Sequence, residues 1–345
     1  MKKSIVSMIL LLSLTATLFA GCGSSSTATS ETTVSTETSE AASEVTSEAV
    51  TEAVTETTEA ATAEGTVTVT DAKGEVEIPA SPQRIVDLSG NSDVLSILGM
   101  DVVGTANSDA YDYTKFPTYL EETLAGATIL GYSYQDTMDV EKIMSLEPDL
   151  IIISSVQEKM YDQLTAIAPT VMIQLAALNW KDDMMTIAGI FGKEAEATDW
   201  LTAYEAKATE IGTQVKTTYG EDTSYLSFLA SGGQFYVFDG AGFGSVMYED
   251  MGLAKPVGMP EQADVSLPVV TYEGLASIEA DYIFVMAADE DWDALITNAI
   301  WNKLPAVESG QVIHLPASPY FNQGYSPVGR NLLLDEFIGL IDERE

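Results

Sequence analysis

His314 and Cys22 are the chain's single histidine and single cysteine, so no His cluster or thiolate set can build a metal centre. His314 lies in the strand-like run Val312-Ile313-His314-Leu315, where an imidazole is more often a satisfied core group than a metal ligand. Asp289 and Asp291 form an acidic pair that can divide acid and base roles, although a run of acids in a loop is more often solvated. Asp239-Gly240-Ala241-Gly242-Phe243-Gly244 is glycine-rich but lacks the Lys-Ser/Thr of a Walker motif and the spacing of GxGxxG. Such glycines suit a loop that lets backbone approach a ligand. Met184-Met185 read as helix core rather than a copper site, and no nucleophile elbow is present for a Ser-His-Asp arrangement. The reading assigns no catalytic residue, no metal ligand and no cofactor. The chemistry left to the chain is non-covalent binding.

Charge narrows the partners. The 345 residues carry 53 acidic and 15 basic side chains, a formal net charge of −38. Phosphate contact needs the reverse balance, so nucleic acid is excluded as a partner.

The first residues read as a targeting signal over 1–21. Met1-Lys2-Lys3 is basic, Ile5 to Phe19 is an apolar run broken only by Ser and Thr, and Ala20-Gly21 are small. The run is short of the ~20 residues of a membrane-spanning helix. Leu18-Phe19-Ala20-Gly21-Cys22 resembles the bacterial lipobox, with Phe19 where many lipoboxes carry Leu. That resemblance implies lipidation of Cys22 and attachment to the bilayer by acyl chains. The bland alternative is a plain signal peptide with an incidental Cys. From Cys22 to Gly65 the chain is almost only Ser, Thr, Ala, Glu, Val and Gly, with no aromatic residue. It cannot bury enough surface to offset its ordering entropy, and it reads as a disordered tether over 22–65.

The elements that must position any binding groups lie in 66–345. Thr66 to Thr70 and Glu75 to Ile78 alternate with period two and predict a hairpin. Arg84 to Leu88, Val102 to Gly104, Ala127 to Leu130, Leu150 to Ile153 and Thr170 to Ile173 read as strands separated by helical segments. Trp180 to Phe191 and Glu194 to Thr217 form the longest helical stretch. The alternation then restarts with strands at Tyr225–Leu229, Phe235–Phe238, Tyr282–Met286 and Val312–Leu315, and a closing helix at Leu332–Ile341. The fold class is α/β: two Rossmann-like lobes with mostly parallel sheets, joined by one long helix. The divisions expected are a lobe over 66–193, an inter-lobe helix over 194–218 and a lobe over 219–345. A groove between two domains is a preferred place for a small ligand.

Several segments resemble the substrate-binding proteins of ABC importers for iron complexes (ferric siderophores, haem and corrinoids). They are Pro82-Gln83-Arg84-Ile85-Val86, Ile97 to Gly104, Asp139 to Ile152, Ile167-Ala168-Pro169-Thr170-Val171, Tyr248 to Leu253 and Glu273 to Phe284. No one motif decides it; their order and spacing over the region after the tether do. The resemblance implies the helical-backbone periplasmic-binding-protein architecture with little hinge motion. It implies capture of an iron complex outside the cell, on the outer face of the cytoplasmic membrane. Delivery to an ABC permease follows, with the protein a monomer. It also implies that Glu141 and Glu273, at matching places in the two lobes, dock onto the permease subunits. The plainer reading of each is a Glu answering a helix dipole, and both roles can hold together.

The cleft is expected from loops at strand ends, where α/β sheets bind ligands. First-lobe candidates are Asn91, Tyr132, Tyr134, Ser155 and Gln157; second-lobe candidates are Tyr236, Phe243, Tyr320, Phe321 and Arg330. Aromatic faces suit a flat or greasy chelate, and Arg pairs with an anionic oxygen. Each aromatic has a packing alternative: Tyr236 is core if Phe235 points outward, and Arg330 can instead pair with Asp335. An intact chelate needs no protein ligand to the metal. Scarce basic residues tilt the expectation toward a weakly charged cargo, a hydroxamate or corrinoid, over an anionic catecholate. A cell-surface enzyme and an adhesin are the competing readings. The first lacks a catalytic constellation, and the second has no use for paired Glu141 and Glu273.

Overall fold

In the computed structural model, which describes residues 65–175 and 179–343, the chain opens with a hairpin. Strands β1 (Thr66–Asp71) and β2 (Gly74–Pro79) pair antiparallel. One Asp71 carboxylate oxygen accepts the Lys73 and Gly74 amides at 2.7 and 3.0 Å and so shapes the turn. The other accepts the Met172 amide at 2.6 Å and staples the hairpin to the first sheet. The signal segment over 1–21, Cys22 and the tether up to residue 64 lie outside the described residues.

The first sheet is built from β3 (Ile85–Asp87), β4 (Val102–Asn107), β5 (Thr128–Tyr132), β6 (Leu150–Ser154) and β7 (Thr170–Ile173). Its order is β5-β4-β3-β6-β7 and every pairing is parallel. Helices α1 (Ser92–Ile97), α2 (Val140–Ser145), α3 (Tyr161–Thr165) and α4 (Trp180–Phe191) cover it. Leu150 to Ile153 is a continuous apolar run because both faces are covered. Leu150 and Ile152 enter one core with Met184 and Ile187, and Ile151 and Ile153 enter the other with Ile143 and Leu164.

Helix α5 (Glu194–Tyr219) follows and closes at Gly220. Its buried stripe serves both lobes. Ala197 joins the first-lobe core, whereas Tyr204, Ala208 and Val215 join the second. Gly212 is required: a Cβ there would lie 2.0 Å from the Met251 carbonyl oxygen.

The second sheet contains β8 (Tyr225–Ser231), β9 (Gln234–Val237), β10 (Val269–Val270), β11 (Tyr282–Ala287) and β12 (Val312–Pro316) in the order β10-β9-β8-β11-β12. The two five-stranded sheets are mostly parallel, as expected; the exceptions are β8-β9 and β9-β10, which are antiparallel. The cause is local. Gly232 and Gly233 have φ of 59° and 78°, and Ser231 pairs with Gln234, a two-residue turn that folds β9 straight back on β8. Around this sheet lie α6 (Gly242–Ser245), α7 (Tyr272–Leu275), α8 (Asp289–Ile296), α9 (Pro305–Glu308), α10 (Ala317–Gln323) and α11 (Pro327–Asp342).

Helix α11 adds a join that the sequence did not suggest. Leu333, Leu334, Phe337 and Ile341 fill the second-lobe core. Val328 and Leu332 pack instead on Tyr119, Leu120 and Leu124, between β4 and β5 of the first lobe.

Candidate functional site

Where the first lobe meets α10 and α11, buried carboxylates shape the loops at the strand ends. Asp87 ends β3 fully buried. One of its oxygens accepts the Ser89 amide at 2.9 Å and the Ser89 hydroxyl at 2.5 Å. The other accepts the Asn91 amide at 3.0 Å and the Ser92 hydroxyl at 2.7 Å. Burial raises its pKa above 3.8, and these donors act against that rise. Asn91 is half-buried, and its amide group turns to the Ser89 hydroxyl at 3.1 Å rather than capping α1.

Beyond β4, Asp109 is also buried, and it reaches across the lobes. It accepts the Tyr111 and Asp112 amides at 2.7 and 3.3 Å from its own loop. It also accepts the Ser318 hydroxyl at 3.1 Å and the Asn322 amide group at 3.2 Å from α10. Asp93 makes a parallel link, accepting the hydroxyl of Ser326, which caps α11.

These links hold an aromatic surface that spans both lobes. Tyr132, at the end of β5, stacks on Tyr113 at 5.6 Å and meets Tyr134 at 5.4 Å. Tyr111 meets Phe321 of α10 edge to face at 6.0 Å. Phe321 in turn touches Phe238 at 6.0 Å and Tyr325 at 5.9 Å. Burial, with the carboxylates of Asp291 and Asp109 nearby, pushes the Tyr111 phenol up to about 12. The Tyr111 phenol is thus neutral at physiological pH.

Among the expected site residues, Tyr132, Tyr134 and Phe321 belong to this surface. Ser155 is exposed just beyond β6. Tyr320 and Tyr236 are half-buried against the second-lobe core, and the Tyr236 hydroxyl donates to Gln234 at 3.0 Å. Phe235 points into the opposite core, so neither ring of that pair faces outward.

Three expectations are corrected. Gln157 is fully buried: its oxygen accepts the Ser154 amide at 3.1 Å, and its nitrogen donates to the Ser133 and Gln135 carbonyls at 2.5 and 3.0 Å. It holds the Tyr134 loop rather than a ligand. Phe243 is a core residue, 5.2 Å from Phe284 and 6.1 Å from Phe337, because the short helix α6 turns it inward. Arg330 is buried, ion-paired with Asp250 at 2.8 Å, and its guanidinium lies 4.8 Å from the Trp180 ring. Asp335, its expected alternative partner, pairs with Lys207 at 2.8 Å.

Sequence reasoning missed Tyr111, Tyr113, Tyr325 and Asp109, whereas Phe238 backs Phe321 from the second-lobe core. The only signal was Tyr111-Asp112-Tyr113, two aromatics in a stretch with no helical period. His314 is half-buried and stacks face to face on Trp292 at 4.0 Å. Asp291 accepts the Gly232 amide at 2.9 Å, and Asp239 accepts from Lys255 and the Gln262 amide. Lys115, in the loop of Tyr111 and Tyr113, pairs with Asp112 at 3.4 Å. Among the described residues no group of three or more His, Cys, Asp or Glu is placed to hold a metal ion. Two surface cavities of about 230 and 300 Å³ lie elsewhere, beside Asp101 and beside Asp281.

Glu141 and Glu273 are exposed, each the second residue of a short helix, α2 and α7. The residue ahead of each helix caps it. Asp139 accepts the Lys142 amide at 3.1 Å, and Thr271 accepts the Gly274 amide at 3.3 Å. The two glutamates therefore have matching settings in the two lobes.

Comparison with known proteins finds a match over residues 93–319 to the family model described as periplasmic binding protein. The iron(3+)-hydroxamate-binding protein FhuD of Bacillus subtilis is 30% identical over 275 residues, covering 77% of this chain and 84% of that protein. The probable siderophore-binding lipoprotein YfiY of Bacillus subtilis is 29% identical over 261 residues, covering 71% and 78%. Among solved structures, the FhuD protein of S. pseudintermedius superposes with a TM-score of 0.63 at 25% identity, covering 80% of this chain and 98% of that one.

Proposed function

The chain belongs to the periplasmic binding protein family, and on that premise we propose that it captures a ferric siderophore and hands it to an ABC permease. As a family member it binds rather than catalyses, and it works outside the cytoplasm in association with a membrane. The observation that carries the cargo reading is the aromatic surface shared by the lobes, with Tyr111 and Phe321 in contact across it. Aromatic rings on a chain of formal net charge −38 suit a chelate of low net charge, because a highly anionic one would meet an already acidic protein. That favours a hydroxamate, in keeping with the name of one relative; haem and corrinoids are the other candidates.

The finer assignments belong to the same proposal. Cys22 carries the lipid anchor, 22–65 is the tether, and the lobes occupy 66–193 and 219–345 about the helix. The protein acts as a monomer. Glu141 and Glu273 dock onto the two permease subunits, their exposed carboxylates giving a two-point electrostatic register.

The test is titration of the full chain with ferrioxamine B, a ferric tris-catecholate, haem and cobalamin, followed by tryptophan fluorescence. Submicromolar quenching by ferrioxamine B alone is expected. Tight binding of another member of the panel would replace the hydroxamate assignment. Binding of none would overturn the iron-complex reading.

A further inference from the structure

Away from the aromatic surface, a buried charge cluster ties the lobes together. Asp250 follows α6 through a π-helical turn, and its side chain is 2% exposed. One oxygen accepts the Tyr204 hydroxyl of α5 at 2.6 Å and Arg330 Nη1 of α11 at 2.8 Å. The other pairs with Lys181 Nζ of α4 at 3.1 Å. Arg330 also donates to Ser245 Oγ and lies over Trp180 of α4. A single carboxylate thus joins the first lobe, the linking helix, the second lobe and α11.

Such a cluster is a poor source of net stability, since desolvating the charges offsets their attraction. What it supplies is direction, because a carboxylate and a guanidinium bond only in particular orientations. The direction reaches the aromatic surface along two short paths. The Arg330 amide donates at 2.8 Å to the Ser326 carbonyl, and Ser326 bonds Asp93 of the first lobe next to Tyr325. Gly242, at the start of the segment ending in Asp250, packs so close to Tyr325 that a Cβ would sit 3.0 Å from its ring.

We propose that Asp250 is a positioning residue, holding the lobe spacing and the Tyr325 side of the aromatic surface in the arrangement that retains cargo. The retention clause rests on the cargo reading above. The test is Asp250→Asn in the full chain, which keeps the volume and removes the charge. Amide exchange is expected to quicken in 179–184 and 320–330 while β6 and β11 stay protected. Ferrioxamine B release is expected to quicken by about fivefold or more. Lys181→Met cuts the first-lobe arm, and with it the Lys181–Glu205 pair at 3.0 Å. It should reproduce the change at 179–184, and it serves if Asp250→Asn fails to fold, while Glu205→Gln, which removes only that second pair, should not reproduce the change. Exchange that rises evenly through both sheets, or nowhere, would make Asp250 merely structural and overturn the proposal. Exchange is read without cargo. A failure of ferrioxamine B to bind either protein would therefore refute the cargo assignment, not the positioning role.

Discussion

Tyr111 and Phe321 come from different lobes and meet edge to face with ring centroids 6.0 Å apart. Neither position is anchored by its own ring alone. The Tyr111 backbone is tied to Asp109, and Asp109 is tied to Ser318 and Asn322 of the helix that carries Phe321. Polar bonds beneath the rings therefore fix the aromatic contact above.

The first prediction follows from that pair. Phe321→Ala and Tyr111→Ala should each weaken cargo binding by about tenfold to a hundredfold, as loss of a buried aromatic anchor does. Tyr111→Phe should change it little, because the ring rather than the neutral phenol makes the contact. Calorimetric titration decides between ring and hydroxyl, and equal losses for both Tyr111 variants would refute the ring's role.

Phe243 supplies the contrast. Phe243→Ala should cost about 3–5 kcal/mol of stability by opening a cavity against Phe284 and Phe337. Cargo affinity measured well below the melting point should stay near that of the parent. Urea unfolding gives the first quantity and titration the second; a large affinity loss with unchanged stability would return Phe243 to the site.

Charge reversal tests the docking glutamates. Glu141→Arg with Glu273→Arg should abolish cargo uptake by cells and leave affinity in solution unchanged, since both side chains are exposed on short helices. Radiolabelled iron uptake beside a binding titration separates the two. Lost affinity would sink the docking assignment.

Acid should help one buried contact. Burial is the main cause raising both Asp87 and Asp93 above the ordinary 3.8. Between 3.8 and those raised values the folded chain holds more protons than the unfolded one. Their contribution to stability therefore falls as pH rises through that window and is least favourable above it. Asp93→Asn mimics the protonated form. It should gain on the parent at pH ~7 and lose that advantage toward pH ~4. Urea midpoints at the two pH values give the answer, and an advantage independent of pH would exclude Asp93 as the cause.

Much of the scaffold was legible because burial on both faces leaves uninterrupted apolar runs. Leu150 to Ile153 and Tyr282 to Met286 announce central strands. Helix α5 was legible from its spacing and ends one residue beyond the expected 218. The short helices α7, α9 and α10 were not, since four to seven residues show too little period. The site was harder. Tyr132, Tyr134 and Phe321 stood out as aromatics near strand ends, but Tyr111 depends on an Asp109 bond to α10 that no local pattern encodes. Arg330 looked like a ligand group because its partner, Asp250, lies 80 residues away in sequence.

Helix α11 also sets an order in time. Its capping Ser326 bonds Asp93, 233 positions earlier in the chain, and Val328 and Leu332 cover Tyr119, Leu120 and Leu124. A ribosome adding roughly 5–20 residues each second takes on the order of ten seconds or more to reach that helix after the patch has emerged. Until then the first lobe has its own two cores but leaves the Tyr119, Leu120 and Leu124 patch uncovered. For that interval the nascent chain carries an apolar patch that only its last helix buries.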